Sequence, residues 1–223
     1  MAAEVLVLSG RGRYADPWHD HAATSAEVVA VLRAQGVDAR LRSTFPDVLD
    51  GVTGLRAVVV NAGSGRVDPG FDGDDDAWRG FHDRLADLVA AGAGVLALHQ
   101  SANTFTDDAR WRAMLGGRWH EGSWHPPLGE ATFTPVRPDA HPVTSGLDDV
   151  VATDEQYCDL EVDAGCQVLV TTRHDGVDRP VVWAAPGPHR VLYDALGHDV
   201  RSYESPSRLA LLRRELAWVL GEG

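Results

Sequence analysis

Gly94-Val-Leu-Ala-Leu-His99-Gln-Ser-Ala-Asn103 is an apolar run that stops abruptly at a histidine. Read as a buried strand, it delivers His99 and Gln100 to a strand-to-helix elbow, where α/β enzymes often present a nucleophile. Here the presented group is an imidazole, which takes or gives a proton near neutral pH. Val191-Leu-Tyr-Asp-Ala-Leu-Gly197-His198-Asp199 repeats the pattern, with Asp199 available to orient the His198 ring. Two imidazoles leaving two strands point to acid–base or metal chemistry rather than to a thiol.

The elements that must position them alternate strand and helix. Glu4 to Ser9 reads as the first strand, followed by a polar loop that holds Trp18, His19, Asp20 and His21. A helix capped by Thr24 or Ser25 runs to about Gln35 and ends at Gly36. Strands follow at Val37–Leu41 and Leu55–Asn61, the latter leading into Ala62-Gly-Ser-Gly65. Residues 68–76 are acidic and glycine-rich and read as a solvated loop. They lack the closing glutamate of a calcium-binding loop. A helix is expected from about Asp75 to Ala91, with Trp78, Phe81, Leu85 and Leu88 on one face. After the His99 elbow comes another, at about Asp107–Leu115.

The pattern turns irregular and aromatic between about 116 and 165, read as an insertion over the sheet edge within one domain spanning residues 1–223. Strands are expected at 167–172, 181–185 and 190–195, with no helices between them, and a closing helix at 205–220. Valine-rich strands alternating with helices predict a mainly parallel sheet covered on both faces. The last three strands suit an antiparallel extension.

In such a sheet the loops after the strands gather at one edge, and ligands bind there. That rule brings Trp18 and His19, Asn61, His99 and Gln100, and His198 and Asp199 together from four distant segments. His120, His125, Glu155 and Tyr157 in the irregular segment would form a lid or wall. A lone histidine is more often structural, and His82, His141, His174 and His189 are read that way. Neutral imidazoles with one carboxylate also suit zinc or another divalent ion. The histidines come from separate loops, however, and no His-Glu-x-x-His helix is present. The expectation is therefore a site with no resident cofactor or metal, a divalent ion being the alternative.

Composition narrows the classes. The chain has 223 residues, 44% hydrophobic and 24% charged, values of a globular domain with a real core. A formal net charge of -13 argues against nucleic acid or an anionic membrane as partner. All basic residues are arginine, which excludes Schiff-base and P-loop lysines. No apolar run approaches membrane-spanning length and no signal peptide is expected, so the expected location is the cytoplasm of a bacterium with a GC-rich genome. A homo-oligomer is compatible with this composition. Cys158 and Cys166 lack disulfide or metal-site spacing and do not sit at the elbow.

Several short motifs occur in a shared order: Gly94-Val-Leu-Ala-Leu-His99, Met114-Leu-Gly-Gly117, His141-Pro-Val-Thr-Ser-Gly-Leu147, Asp154-Glu-Gln-Tyr157, Pro180-Val-Val-Trp183 and Leu196-Gly-His-Asp199. In this the chain resembles the ThuA-like (trehalose utilisation) family. The resemblance implies a flavodoxin-like three-layer sandwich of the class I glutamine amidotransferase type. It also implies a link to disaccharide catabolism, including oxidised (3-keto) sugars. His19, His99, Glu155, Tyr157, His198 and Asp199 match the family's recurrent positions.

True amidotransferases of this fold need a cysteine at the elbow, where this chain has His99. An imidazole cannot readily form the thioester of glutaminase chemistry. The expected function is histidine acid–base chemistry on a sugar-like small molecule. His99, His198, Glu155 and Asp199 would be catalytic, and Trp18, His19, Asn61, Gln100, His125 and Tyr157 would bind substrate. The alternative is a non-catalytic carbohydrate-binding or regulatory module, with Trp18, Trp119, Trp124 and Tyr157 as stacking platforms. Either way, iodoacetamide treatment is expected to leave function intact. Loss of function on alkylation, prevented by a substrate analogue, would put a thiol back at the centre.

Overall fold

The computed structural model describes residues 4–137 and 139–222. Its strands are β1 (Val5–Ser9), β2 (Ala39–Ser43), β3 (Ala57–Asn61), β4 (Gly94–Leu98), β5 (Gly117–Arg118), β6 (Gly129–Pro135), β7 (Val150–Asp154), β8 (Glu161–Val162), β9 (Gln167–His174), β10 (Val177–Ala184) and β11 (Val191–Asp194). Its helices are α1 (His21–Ala34), α2 (Pro69–Asp72), α3 (Asp75–Ala90), α4 (Ala109–Leu115) and α5 (Pro206–Val219). Among the described residues the main sheet runs β2-β1-β3-β4-β11-β10-β9-β6-β7. The first five of these strands are parallel and the remainder pair antiparallel.

Burial explains the parallel half. Every residue of β1, β3 and β4 is buried, as the near-continuous apolar runs of a sheet covered on both faces require. Helices α1 and α5 pack against each other and the sheet. In α3, Trp78 packs edge-on against Phe81, which meets Phe105 and, through it, Trp111 of α4. No helix among the described residues is long and apolar enough to cross a membrane.

Several local expectations change. The cap of α1 is Asp20, whose side chain accepts from Ala23 N at 3.0 Å; Thr24 and Ser25 lie buried inside the helix. The acidic loop holds α2, and Asp72 is buried, accepting from Arg13 N at 2.7 Å. The irregular segment contributes β6 and β7 to the far edge of the main sheet, and β5 and β8 form a separate small ribbon. The last strand, β11, is central: it lies parallel to β4 and antiparallel to β10.

The antiparallel half bends. Four strand spacings would put β7 about 19 Å from β11 in a flat sheet. Yet Asp154, ending β7, accepts from Gly197 N, three residues past β11, at 2.8 Å. The register shifts between β9 and β10 near Pro180 and Val182, an irregularity that bends a strand and strengthens its twist. The first residues of β6 pair with β7, whereas Phe133 to Pro135 pair with β9. This bend carries the end of β7 to the carboxyl edge of the parallel strands.

A second polar cluster pins the loop after β1. Tyr14 Oη donates to Asp107 at 2.7 Å, and His82 Nε2 lies 3.1 Å from the same carboxylate. Burial alone would raise the Asp107 carboxyl, but the hydrogen bonds of His82 and Tyr14 outweigh it and hold it below the ordinary carboxylate range. A depressed folded-state pKa contributes stability above the unfolded value that is lost as pH falls through the folded one. Asp107→Ala is therefore expected to cost about 1–3 kcal/mol at neutral pH. The gap in urea midpoint between the two proteins should narrow below about pH 4. A gap of constant size down to strongly acid pH would show that the charge of Asp107 contributes nothing.

Candidate functional site

The elbow is built by the strand that follows it in the sheet. His99 leaves β4 with φ 47°, a left-handed conformation uncommon outside glycine. Two bonds from the β11 region hold it there. Tyr193 Oη donates to the His99 carbonyl at 2.8 Å, and His99 Nδ1 donates to the Ala195 carbonyl at 2.6 Å. Because a carbonyl only accepts, the lone pair of the neutral His99 ring lies on Nε2, pointing into the site.

His19 is set the same way by a carboxylate. Asp16 Oδ1 accepts from Trp18 N at 2.9 Å, from His19 N at 3.1 Å and from the His19 ring Nδ1 at 2.7 Å. One oxygen thus fixes both the turn and the ring, and the lone pair of neutral His19 also lies on Nε2. Burial lowers the pKa of His19, assisted by the positive charge that His99 and His198 can carry and opposed by Asp16. The close fit needs Gly63: a Cβ there would stand 2.8 Å from Asp16 Oδ2 and 3.1 Å from His21 Nε2.

Glu155 enters from the end of β7. Its Oε2 lies 3.5 Å from His99 Nε2 and its Oε1 lies 3.3 Å from His198 Nδ1. Burial would raise the Glu155 carboxyl, but His198 and His99 outweigh it and hold it well below the usual range. In return the Glu155 carboxylate raises His198 against the opposing effect of burial. Tyr157 is buried, which keeps its phenol protonated. Its hydroxyl lies 3.0 Å from His99 Nε2, and the His99 and His19 Nε2 atoms lie 3.1 Å apart.

The carboxylate beside Glu155 is the one that sequence reasoning passed over. Asp154 is 1% exposed. Its Oδ1 accepts from Glu155 N at 2.9 Å and His198 N at 3.2 Å. Its Oδ2 accepts from Gly197 N at 2.8 Å and Ser202 Oγ at 2.5 Å. It binds the end of β7 to the loop after β11. Asp16 was passed over too, although an Asp three residues before a His is a readable sign of a side chain folding back on its own turn.

His19, His99, Glu155, Tyr157 and His198 therefore meet, as expected of them. His125 stands at the rim, its Nδ1 3.5 Å from Glu155 Oε1. Gln100 lies beside Gly63 and is half-buried. Three expected roles change. Asn61 is buried, and its amide is committed to Thr24 Oγ1 at 2.8 Å and Ser25 Oγ at 2.9 Å, fastening β3 to α1. Asp199 does not orient the His198 ring; it caps the turn at residues 200–204 and pairs with Arg201, leaving Glu155 as the carboxylate beside that ring. Trp18 lies apart from the histidines, 76% exposed on a cleft of about 610 Å³ that it shares with Asp16, Arg66 and Phe71. Trp119 packs on Tyr157, whereas Trp124 donates to Asp159 and faces Arg179. Cys158 is buried, and burial pushes both thiols up.

The cluster offers two lone pairs, one carboxylate and one further imidazole, with donor atoms all within 4.8 Å of one another. Such a set can shuttle protons or hold a cation. His99 and Glu155 are nearly closed from solvent, while the side chains of His198 and His125 are 14% and 37% exposed and mark the open side.

Comparison with solved structures places this architecture. A ThuA-like protein from Parabacteroides merdae is similar over 100% of this chain and 91% of its own, with TM-score 0.75 and 17% identity. One from Bacteroides uniformis is similar over 98% and 92%, with TM-score 0.72 and 17% identity. A glutamine amidotransferase from Thermotoga maritima shares the fold with TM-score 0.60 and 9% identity, over 97% and 98%. No curated protein matches the chain. The profile of the family described as ThuA, trehalose utilisation, matches residues 4–219. The chain belongs to the ThuA family, on a flavodoxin-type α/β fold shared with class I glutamine amidotransferases.

Proposed function

We propose that the protein is an enzyme acting on a sugar or an oxidised (keto) disaccharide derivative, with His19, His99, Glu155 and His198 as its chemical centre. The observation that carries this reading is the convergence of these side chains, from four distant segments, at the carboxyl edge of the sheet. Structural histidines have no need to face one another's lone pairs. The cleft of about 610 Å³ that Trp18 and Asp16 line includes none of these four side chains; it reaches the centre only through Asp16, which holds His19, and offers a sugar ring an aromatic face beside it.

The chemistry follows from the tautomers. Proton removal next to a carbonyl needs a base and a group that polarises the oxygen. His99 Nε2 carries a lone pair on a rigid elbow and serves as the base. His198, whose pKa Glu155 raises, is the imidazole better suited to give a proton and serves as acid or electrophile. The Tyr157 hydroxyl rests against that same nitrogen of His99 and must turn to the substrate oxygen for His99 to act. Glutaminase activity is not expected, because the elbow carries no thiol. The exposure of Trp18 also favours a second reading, a carbohydrate-binding module without turnover.

His99→Gln keeps a polar side chain of similar size. It is expected to retain the fold by circular dichroism and to lower turnover of a keto-sugar substrate by roughly two to four orders of magnitude. Unchanged turnover would leave the binding module as the better reading.

A further inference from the structure

The facing lone pairs present a physical problem. His99 Nδ1 and His19 Nδ1 are both committed as donors, to Ala195 O and Asp16 Oδ1. The Nε2 atoms left over stand 3.1 Å apart. Two unshared pairs at that distance repel unless something positive lies between or beside them; the Tyr157 hydroxyl, 3.0 Å from His99 Nε2, partners that atom and leaves the pair of His19 facing it unanswered. Glu155 adds negative charge at 3.5 Å from one of them. His198 Nδ1 is buried and 3.3 Å from Glu155 Oε1, yet makes no hydrogen bond among the described residues.

We propose that His19 Nε2, His99 Nε2, a Glu155 carboxylate oxygen and one nitrogen of His198 form a binding site for a single divalent first-row metal ion, zinc fitting best. This deepens the reading of the cluster as the chemical centre and rests on it. Ligand bonds of 2.0–2.1 Å in a tetrahedron separate neighbouring donors by about 3.3–3.4 Å. The measured separations of 3.1 and 3.5 Å bracket that value, and the widest in the set is under 4.8 Å. Three imidazoles with one carboxylate suit zinc and its neighbours rather than magnesium or calcium.

The outer partners support the same conclusion. A metal-bound histidine characteristically gives its other ring N–H to a carboxylate or a backbone carbonyl. His19 does the first through Asp16, and His99 the second through Ala195. Tyr157 stands beside His99 Nε2, where its hydroxyl can turn to a bound water or substrate oxygen. When bound, the ion would supply Lewis-acid polarisation of a substrate oxygen that joins the four protein ligands as a fifth. His99 would then hold the ion in place of acting as base, and proton transfer would fall to Tyr157, which is not a ligand.

The test is direct binding, read without turnover. Tag-free protein stripped with a chelator is titrated with zinc by calorimetry and with cobalt(II) by visible absorption. We expect saturation near one equivalent per chain, and intense cobalt bands of a tetrahedral site. His19→Gln should weaken binding by about 100-fold or more. Asp16→Asn, which keeps all four ligands and removes only the charge of the outer partner, should weaken it by about 10-fold or more. His174→Gln, remote from the site, should change nothing. No saturable binding by the folded protein, or equal affinity in wild type and His19→Gln, would overturn the proposal. Failure here, with turnover still lost in His99→Gln, would remove the ion and leave the acid–base enzyme standing. Tight binding with turnover unchanged in His99→Gln would instead remove the acid–base enzyme reading and keep the ion.

Discussion

The carboxylate of Asp154 is the constraint on which the rest of the site depends. It closes the gap between two parts of the sheet that topology sets four strands apart. One oxygen takes the amides of Glu155 and His198, and the other takes Gly197 N and Ser202 Oγ. The residue is nearly inaccessible, so all four bonds form where water cannot compete. Because Glu155 and His198 share this one anchor, their side chains are set relative to each other by a rigid backbone clamp. Without it, Glu155 would end an edge strand and His198 a loop.

Around that clamp the site uses one device repeatedly: a backbone or carboxylate oxygen claims one ring nitrogen, and the other nitrogen is aimed inward. Ala195 O does this for His99 and Asp16 for His19. The elbow keeps its strained backbone through Tyr193, whose hydroxyl grips the His99 carbonyl from the neighbouring strand. The fold thus presents a side chain at a tight turn, and in this chain that side chain is an imidazole.

Much of this was legible in the sequence, for reasons that can be named. His99 and His198 end apolar runs, and ends of parallel strands share an edge, so their meeting follows from periodicity alone. His19 follows from the same rule applied to β1. Glu155 and Tyr157 were legible from the residues only as part of a lid or wall, and more closely through family resemblance, because nothing local shows that an antiparallel edge bends back over the parallel half. Asp154 was hidden for the same reason. Asn61 looked like a ligand because polar residues at strand ends often are; its partners, Thr24 and Ser25, sit in a helix whose cap was placed four or five residues too late. Asp199 looked like the partner of His198 by adjacency, but neighbouring side chains in an extended turn point apart.

The central placement of β11 has a meaning for how the molecule comes into being. This strand is made after both of its neighbours, yet it inserts between β4 and β10. Its Tyr193 and the Ala195 after it hold the elbow, and the loop beyond it delivers His198. A nascent chain therefore carries His19, His99 and Glu155 with no means of assembling them until β11 has docked across a long sequence separation. Assembly of the cluster is thus coupled to completion of the sheet, so that a chain without β11 also lacks the geometry of the site.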